Sequence, residues 1–241
     1  MNQDYRLRFY ERYVSAFKDR SGKNGFLFTD SKLLPILAPW TRSIDRSARC
    51  VDLGCGCGNV LHALRTLGFE DLSGVDASAE QIELARPICP KAEVGLLAPY
   101  LQRFPDQHFG LITIFDVVEH LRKEELLDLI ALVALKLAHG GTLIVHTPNG
   151  DSPFCGRVQF GDYTHETILN EMSARQLCEL FDLKHFEAKE HLGSSRSWKG
   201  MMRLALWAIL RRTLIAWDFV ETGSGGSKIC TRNFAFKATR P

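Results

Sequence analysis

Cys50-Val51-Asp52-Leu53-Gly54-Cys55-Gly56-Cys57-Gly58-Asn59 decides how this chain is read. A short apolar run ends in an acid and passes straight into a glycine-rich turn. A helical pattern follows at once, with Val60, Leu61, Ala63, Leu64 and Leu67. Strand, tight turn and helix in that order make the first half of a nucleotide-binding α/β unit. Glycines in such a turn let the backbone approach a ligand closely, because no Cβ stands in the way. A dinucleotide-binding turn would carry its third glycine at position 59, where Asn59 stands, and that speaks against an NAD-binding dehydrogenase. A second acid, ending Gly74-Val75-Asp76, closes the next strand-like run 24 residues after Asp52. There it is placed to accept hydrogen bonds from both hydroxyls of a ribose.

The 241 residues suffice for one α/β domain with additions and a sizeable core. Apolar residues make up 45% and charged residues 24%, the balance of an ordinary globular chain. A formal charge of +2 is too small for a dedicated nucleic-acid binder, so no nucleic acid is expected as a partner. Met1-Asn2-Gln3-Asp4-Tyr5-Arg6 lacks the apolar core of an export signal. The seven cysteines form no CxxC pair, and Cys55 and Cys57 lie inside the glycine turn. Reduced thiols, no metal site and a cytoplasmic location are therefore expected. No run of 18 apolar residues predicts a membrane span.

Outward from the glycine turn, apolar and polar stretches alternate as strands and helices should. A helix is predicted over 4–19, with Tyr5, Phe9, Tyr13 and Phe17 on one face, then a break at Ser21–Gly25 and a helix over 30–38. This N-terminal region, 1–44, reads as a helical cap. Strands are predicted at 49–53, 71–76, 92–94, 109–115 and 142–147, separated by helices at 59–67, 79–86 and 122–138. The near-continuous apolar run 109–115 suits a strand covered on both faces. The alternation predicts a parallel sheet with helices on both sides. Residues 150–170 are polar and irregular, as an active-site loop would be. A helix over 173–181 capped by Ser173, a strand over 183–191, a helical insertion at 194–222 and a last strand over 230–238 complete the chain.

The spacing acid-x-Gly-x-Gly-x-Gly from Asp52 to Gly58 resembles the first motif of class I S-adenosylmethionine-dependent methyltransferases. Gly74-Val75-Asp76, Phe104 to Phe109, Phe115-Asp116-Val117-Val118-Glu119-His120, Gly140-Gly141 and Thr147-Pro148-Asn149 match in the same order. Their sequence is similar to the bacterial small-molecule and sugar branch, including ubiquinone-type O-methyltransferases. Gly161-Asp162-Tyr163-Thr164-His165-Glu166 is similar to enzymes of glycan biosynthesis. The resemblance implies a Rossmann-like, seven-stranded, mostly parallel sheet over 45–241, ordered 3-2-1-4-5-7-6. It implies S-adenosyl-L-methionine as cofactor across the carboxyl ends of strands 1, 2 and 4. Gly54, Gly56 and Gly58 would face the methionine part and Asp76 the ribose, with Asp52, Cys55 and Ala77 also among the cofactor-binding residues. Asp52 reads equally as holding the turn by accepting backbone N–H bonds. Phe115 and Asp116 would flank the cofactor. Family members often carry an acid after strand 3 for the adenine amino group. Here Gly95-Leu96-Leu97 stands there, which leaves the backbone of Leu96 and Leu97 for that task.

Methyl transfer is an in-line displacement in which the protein supplies alignment and, for a hydroxyl, a base. His165, in the polar loop beside Asp162 and Glu166, is the first candidate for that base, since neutral imidazole suits proton removal near neutrality. One of these neighbouring carboxylates would fix its tautomer, Glu166 is counted with it at the catalytic site, and His146 at the end of strand 5 is the second candidate. Glu119-His120 reads equally as catalytic or as a helix cap. The expected reaction is O-methylation of a sugar or glycan precursor. A quinone-like or phenolic acceptor, or a binding module without catalysis, are the alternatives. In 194–222, tryptophans and other apolar residues mix with Lys199, Arg203, Arg211 and Arg212. That mixture predicts a helix that meets a membrane surface, a lipid-linked acceptor or a second subunit, with its packing on strands 6 and 7 as the plain alternative.

Overall fold

Seven strands form one sheet in the order β3-β2-β1-β4-β5-β7-β6. They are β1 (Cys50–Leu53), β2 (Leu72–Asp76), β3 (Ala92–Val94), β4 (Phe109–Phe115), β5 (Leu137–Pro148), β6 (Lys184–Glu190) and β7 (Asn233–Thr239). The first five pair in parallel, and β7 runs antiparallel between β5 and β6. The computed structural model describes residues 4–11, 25–192, 197–224 and 226–241, with the backbone alone over 25–31. Residues 12–19 of the predicted first helix, most of the predicted break and 194–196 of the insertion lie outside the described residues.

Both faces of the sheet are covered, which explains the unbroken apolar run of β4. Ile112 and Ile114 pack on one side with Val51, Leu53, Leu143 and Val145, beneath α5 (Leu97–Gln102), α6 (Lys123–Lys136) and α8 (Glu171–Leu180). Leu111, Cys50 and Ile144 pack on the other with α2 (Gly25–Trp40), α3 (Asn59–Thr66) and α4 (Ala79–Ala85). Alternate residues of each strand thus enter different cores, as a period of two requires.

Several boundaries differ from the sequence expectation. The third long helix ends at Lys136, and β5 begins at Leu137, because the chain pairs Leu137 with Phe109 before Gly140-Gly141. α8 is capped by Asn170 rather than Ser173. The two side chains exchange bonds across the first turn, Asn170 Oδ1 accepting from Ser173 N and Ser173 Oγ from Asn170 N, each at 2.9 Å. α5 is a six-residue helix with Pro99 inside it, too short to show a helical period. α2 carries Pro35 and Pro39 yet runs unbroken over 16 residues. A short α7 (Cys155–Gln159) interrupts the polar loop.

α9 (Trp198–Thr222) has 25 residues and buries none of them. Leu204, Trp207, Arg211, Leu214 and Ile215 form a half-buried stripe, anchored by Trp207 Nε1 to Glu190 Oε2 (3.3 Å) and Arg211 Nε to the Lys228 carbonyl (2.9 Å). The remaining faces are exposed, Trp198, Ile209, Trp217 and Val220 among them. Among the described residues no helix is long and apolar enough to cross a membrane.

Candidate active site

The glycine turn leaves β1 through three residues in the left-handed region, Gly54 (φ +75), Gly56 (φ +51) and Gly58 (φ +87). A Cβ on Gly54 would also meet Val117 Cγ2 at 2.2 Å, so the turn closes against the loop after β4 only with glycine there. The turn is held by Asp76, whose Oδ2 accepts from Gly56 N (2.9 Å) while Oδ1 accepts from Ser78 N (2.8 Å). Gly54 N and Cys55 N both donate to the Val75 carbonyl. The expectation that Asp52 itself holds the turn is therefore corrected. Its register partner across the sheet is Thr113, and Thr113 Oγ1 donates to its carboxylate at 2.7 Å. Burial pushes the Asp52 carboxyl up to about 7; the Thr113 hydrogen bond opposes this and the charge of Asp76 adds to it.

A cavity of about 700 Å³ opens above this turn at the carboxyl ends of β1, β2 and β4. That is the place where open α/β sheets hold ligands, and the size is that of a small-molecule site. At one end stand Asp76, Ala77 and the apolar Leu96, Leu97 and Pro99. Gly95 N donates to the Asp76 carbonyl (2.9 Å), which ties this wall to the end of β2. At the other end stand Asp116, Val117, His120, Leu121 and Glu125. Cys55 lies between, its thiol pushed well up by burial and so neutral.

α1 (Tyr5–Tyr10) covers that second end. Arg6 is buried and lines the cavity with Asp4, Leu7 and Tyr10. Its guanidinium pairs with Asp4, bonds both Glu125 oxygens (2.6 Å each) and donates to the His120 carbonyl (2.6 Å). Tyr5 Oη donates to Glu166 Oε1 (2.6 Å), and Phe9 stacks on Tyr163. The short α1 is thus latched to α6 and to the polar loop.

Asp116 sits in the left-handed region (φ +54), uncommon for a residue with a side chain. His146 Nδ1 lies 2.7 Å from its Oδ1, and His146 Nε2 lies 2.7 Å from His191 Nδ1. A carboxylate acceptor fixes this order: Nδ1–H of His146 donates to Asp116, and Nε2 accepts from His191. Crowding by surrounding atoms pushes the Asp116 carboxyl up, but His146, His191 and His120 outweigh it and hold it below the usual range. Burial and the neighbouring His146 push His191 down to about 4.

The turn Val118–His120 carries a second cluster. Thr164 Oγ1 donates to Asp162 Oδ1 (2.7 Å), so it accepts from His120 Nδ1 at 2.8 Å. His120 Nε2 is left with its lone pair. Burial, and then His165, bring His120 down to about 4. The ring of His165 meets His120 edge to face, with centroids 4.7 Å apart. Glu119 is buried and accepts from Thr147 Oγ1 at 3.2 Å. Burial and the charge of Asp116 raise its carboxyl well above the ordinary range.

Of the residues singled out from sequence, Asp52, Gly54, Cys55, Gly56, Asp76, Ala77, Leu96, Leu97, Phe115 and Asp116 line the cavity together; Gly58 caps α3 just outside it. His165, Glu166 and His146 do not line it. His146 stands behind Asp116 with both nitrogens engaged, His165 lies against His120, and Glu166 holds Tyr5. His120 and the α1 residues face the cavity in their place. His191, the residue after β6, completes the chain behind Asp116.

A family model described as a methyltransferase domain matches residues 10–191. Comparison with curated proteins gives no match. Among solved structures, a SAM-dependent methyltransferase from Archaeoglobus fulgidus gives a TM-score of 0.65 at 18% identity, covering 98% of this chain and all of that one (100%). Geranyl diphosphate C-methyltransferase from Streptomyces coelicolor A3(2), solved with Mg2+, geranyl diphosphate and S-adenosyl-L-homocysteine, gives 0.62 at 14%, covering 94% and 88%. Phosphoethanolamine N-methyltransferase 2 from Haemonchus contortus, in complex with S-adenosyl-L-methionine, gives 0.62 at 13%, covering 96% and 60%. Identities this low carry the fold, and the acceptors in these names differ from one another.

Proposed function

The chain belongs to the methyltransferase-domain family, the class I S-adenosylmethionine-dependent methyltransferases, and from that premise we propose that it methylates a hydroxyl of a sugar or glycan precursor. The cavity fits the cofactor on its own chemistry. Asp76 faces it with a carboxylate for the ribose, and Leu96, Leu97 and Pro99 offer an apolar wall for a flat base. Gly54 and Gly56 bring bare backbone to the middle, where Asp52 supplies a buried acid for the cationic amino-acid part. When bound, S-adenosylmethionine supplies a methyl group made electrophilic by its sulfonium.

The observation that carries the hydroxyl reading is Asp116. It stands at the acceptor end in a left-handed backbone conformation, and a chain of two histidines orients its carboxylate. An amine acceptor can be used in its neutral form, whereas a sugar hydroxyl has to lose a proton as its oxygen is methylated. Asp116 accepts that proton or the hydrogen bond that precedes its loss, and His146 and His191 hold it in place. Arg6, Tyr10, His120 and Glu125 around the same end supply several hydrogen-bonding partners, as a polyhydroxylated acceptor requires. His165 and Glu166 act from behind this wall, on His120 and on the α1 latch. We assign α9 to the approach of the acceptor: its exposed tryptophans and the cations Lys199, Arg203 and Arg212 suit an anionic lipid surface carrying a lipid-linked precursor.

The test uses methyl-labelled S-adenosylmethionine with a panel of free, nucleotide-linked and lipid-linked sugars, beside catechols and amines. Label recovered as an O-methyl ether on a sugar supports the reading. Label on nitrogen or carbon overturns it, and label on a phenol alone returns the acceptor to the aromatic class.

A further inference from the structure

Glu119, His120 and His165 each present a ligand atom within 4.8 Å of the others. We propose that they form a divalent-cation site at the acceptor end of the cavity, of the two-histidine, one-carboxylate type that takes zinc, cobalt(II) or iron(II).

Four features support this beyond proximity. His120 carries its proton on Nδ1, because the Thr164 hydroxyl is committed to Asp162. Nε2 is therefore in the form that binds a metal, and the Asp162–Thr164–His120 chain is the kind of outer support that orients a metal-bound histidine. Next, His165 Nδ1 is sealed from solvent and has no hydrogen-bond partner. A buried polar atom left this way is destabilising unless something takes it. Third, the backbone fixes the three residues together. Glu166 N (2.8 Å) and Thr167 N (3.0 Å) both donate to the Glu119 carbonyl, which pins His165 beside His120 across 45 residues of sequence. Last, Thr147 Oγ1 orients the Glu119 carboxylate, and Asp116 and Asp162 add negative charge around it. No lysine or arginine is paired to Glu119 among the described residues. Ligands about 2.1 Å from a tetrahedral ion stand roughly 3.4 Å apart, so the three side chains draw in by about an ångström as the ion enters.

His120 lines the cavity, so the open coordination positions of the ion face the acceptor. There they take the oxygen of the hydroxyl to be methylated, or two neighbouring oxygens of a diol, and lower the pKa of that hydroxyl. Asp116 then receives the proton while the methyl group passes from sulfur to oxygen. This consequence rests on the O-methylation reading; the cation site itself does not.

Cobalt(II) is the probe, added to the full chain with S-adenosylhomocysteine present and followed by visible absorption and calorimetry. One equivalent bound, with ligand-field bands and no thiolate charge transfer, is the expected result. His165→Ala and His120→Ala should each weaken binding at least tenfold while S-adenosylhomocysteine binding persists, which also shows that the variants fold. Cys57→Ser should leave cobalt binding unchanged. No cobalt bound by the wild type, thiolate bands, or histidine variants that bind as the wild type does would each overturn the site. Cobalt bound as expected, with label found on a nitrogen acceptor, would keep the site and remove only the O-methylation reading.

Discussion

Asp52→Asn tests whether the floor of the cavity is built for a positively charged ligand. Asp52 is 1% exposed, accepts one hydrogen bond from Thr113 and lies near a second acid, Asp76. These surroundings raise its carboxyl from 3.8 to about 7. The folded chain therefore holds a proton between those values that the unfolded chain has released. Stability contributed by the protonated form is complete below about pH 4 and is lost as pH rises through about 7. At about 1.4 kcal/mol per tenfold in proton affinity, ionised Asp52 costs the ligand-free protein on the order of 4 kcal/mol at pH 8. An asparagine side chain does not ionise, so the ligand-free variant should melt higher than wild type at pH 8, and the two should converge towards pH 4. Binding should move the opposite way. The ammonium of S-adenosylhomocysteine pairs with the ionised acid, of which about one tenth is present at pH 6 and about nine tenths at pH 8. Calorimetry on wild type should find affinity about tenfold weaker at pH 6, with proton release on binding. In the Asp52→Asn variant the affinity should be weaker at pH 8 and flat across this range. Wild-type affinity that does not change with pH, or a variant that binds as tightly at pH 8, would refute the assignment.

Asp76→Ala removes the ribose acceptor and frees Gly56 N and Ser78 N, so S-adenosylhomocysteine affinity should fall by roughly 10- to 100-fold in calorimetry. His146→Phe keeps a ring of similar size but removes the Nδ1–H that orients Asp116. Turnover should drop about tenfold or more, with cofactor affinity within about twofold of wild type. Arg6→Ala should release α1, seen as faster proteolysis within residues 4–11 and a higher KM for the acceptor, with little change in melting temperature. The Arg6 hydrogen bond holds the Asp4 carboxyl at about 2, so the latch should be complete above about pH 4 and loosen only as pH falls towards 2. Wild-type protein should float with anionic liposomes and not with neutral ones, and Arg203→Glu with Arg212→Glu should abolish flotation. A stable dimer by light scattering without flotation would assign the exposed face of α9 to a second copy.

What the sequence made legible was whatever one strand and its own turn determine. Asp52, Gly54 and Gly56 fall on the cavity because a strand end followed by a glycine turn has one geometry, whatever packs around it. Asp76 was placed by the same reasoning, although its second task of holding the turn depends on Gly56 N arriving 20 residues away in sequence. Position 59 was also informative, since Asn59 opens α3 where a dinucleotide turn would need glycine. Nothing local announced α5, because six residues with only Tyr100 and Leu101 buried show no period. The same limit explains the histidines. A histidine can be read as solvent-facing, structural or chemical only from what surrounds it, and those surroundings come from other segments.

His146 shows the point most sharply. Its place at the end of β5 suggested a base, yet the antiparallel return of β7 and β6 brings His191 onto its Nε2, and the left-handed turn at Asp116 brings a carboxylate onto Nδ1. With both nitrogens engaged it transmits orientation rather than contacting an acceptor. His165 differs in kind. The loop bonds at Glu119 carry it to His120, while its Nδ1 is left without a partner. Two histidine pairs, only His146 among them fully buried, thus flank one cavity end, one satisfied within the protein and one not. A site that needs only a fixed carboxylate would be complete with the first. The unsatisfied second pair, beside a buried glutamate, is the part of this molecule that still calls for a ligand.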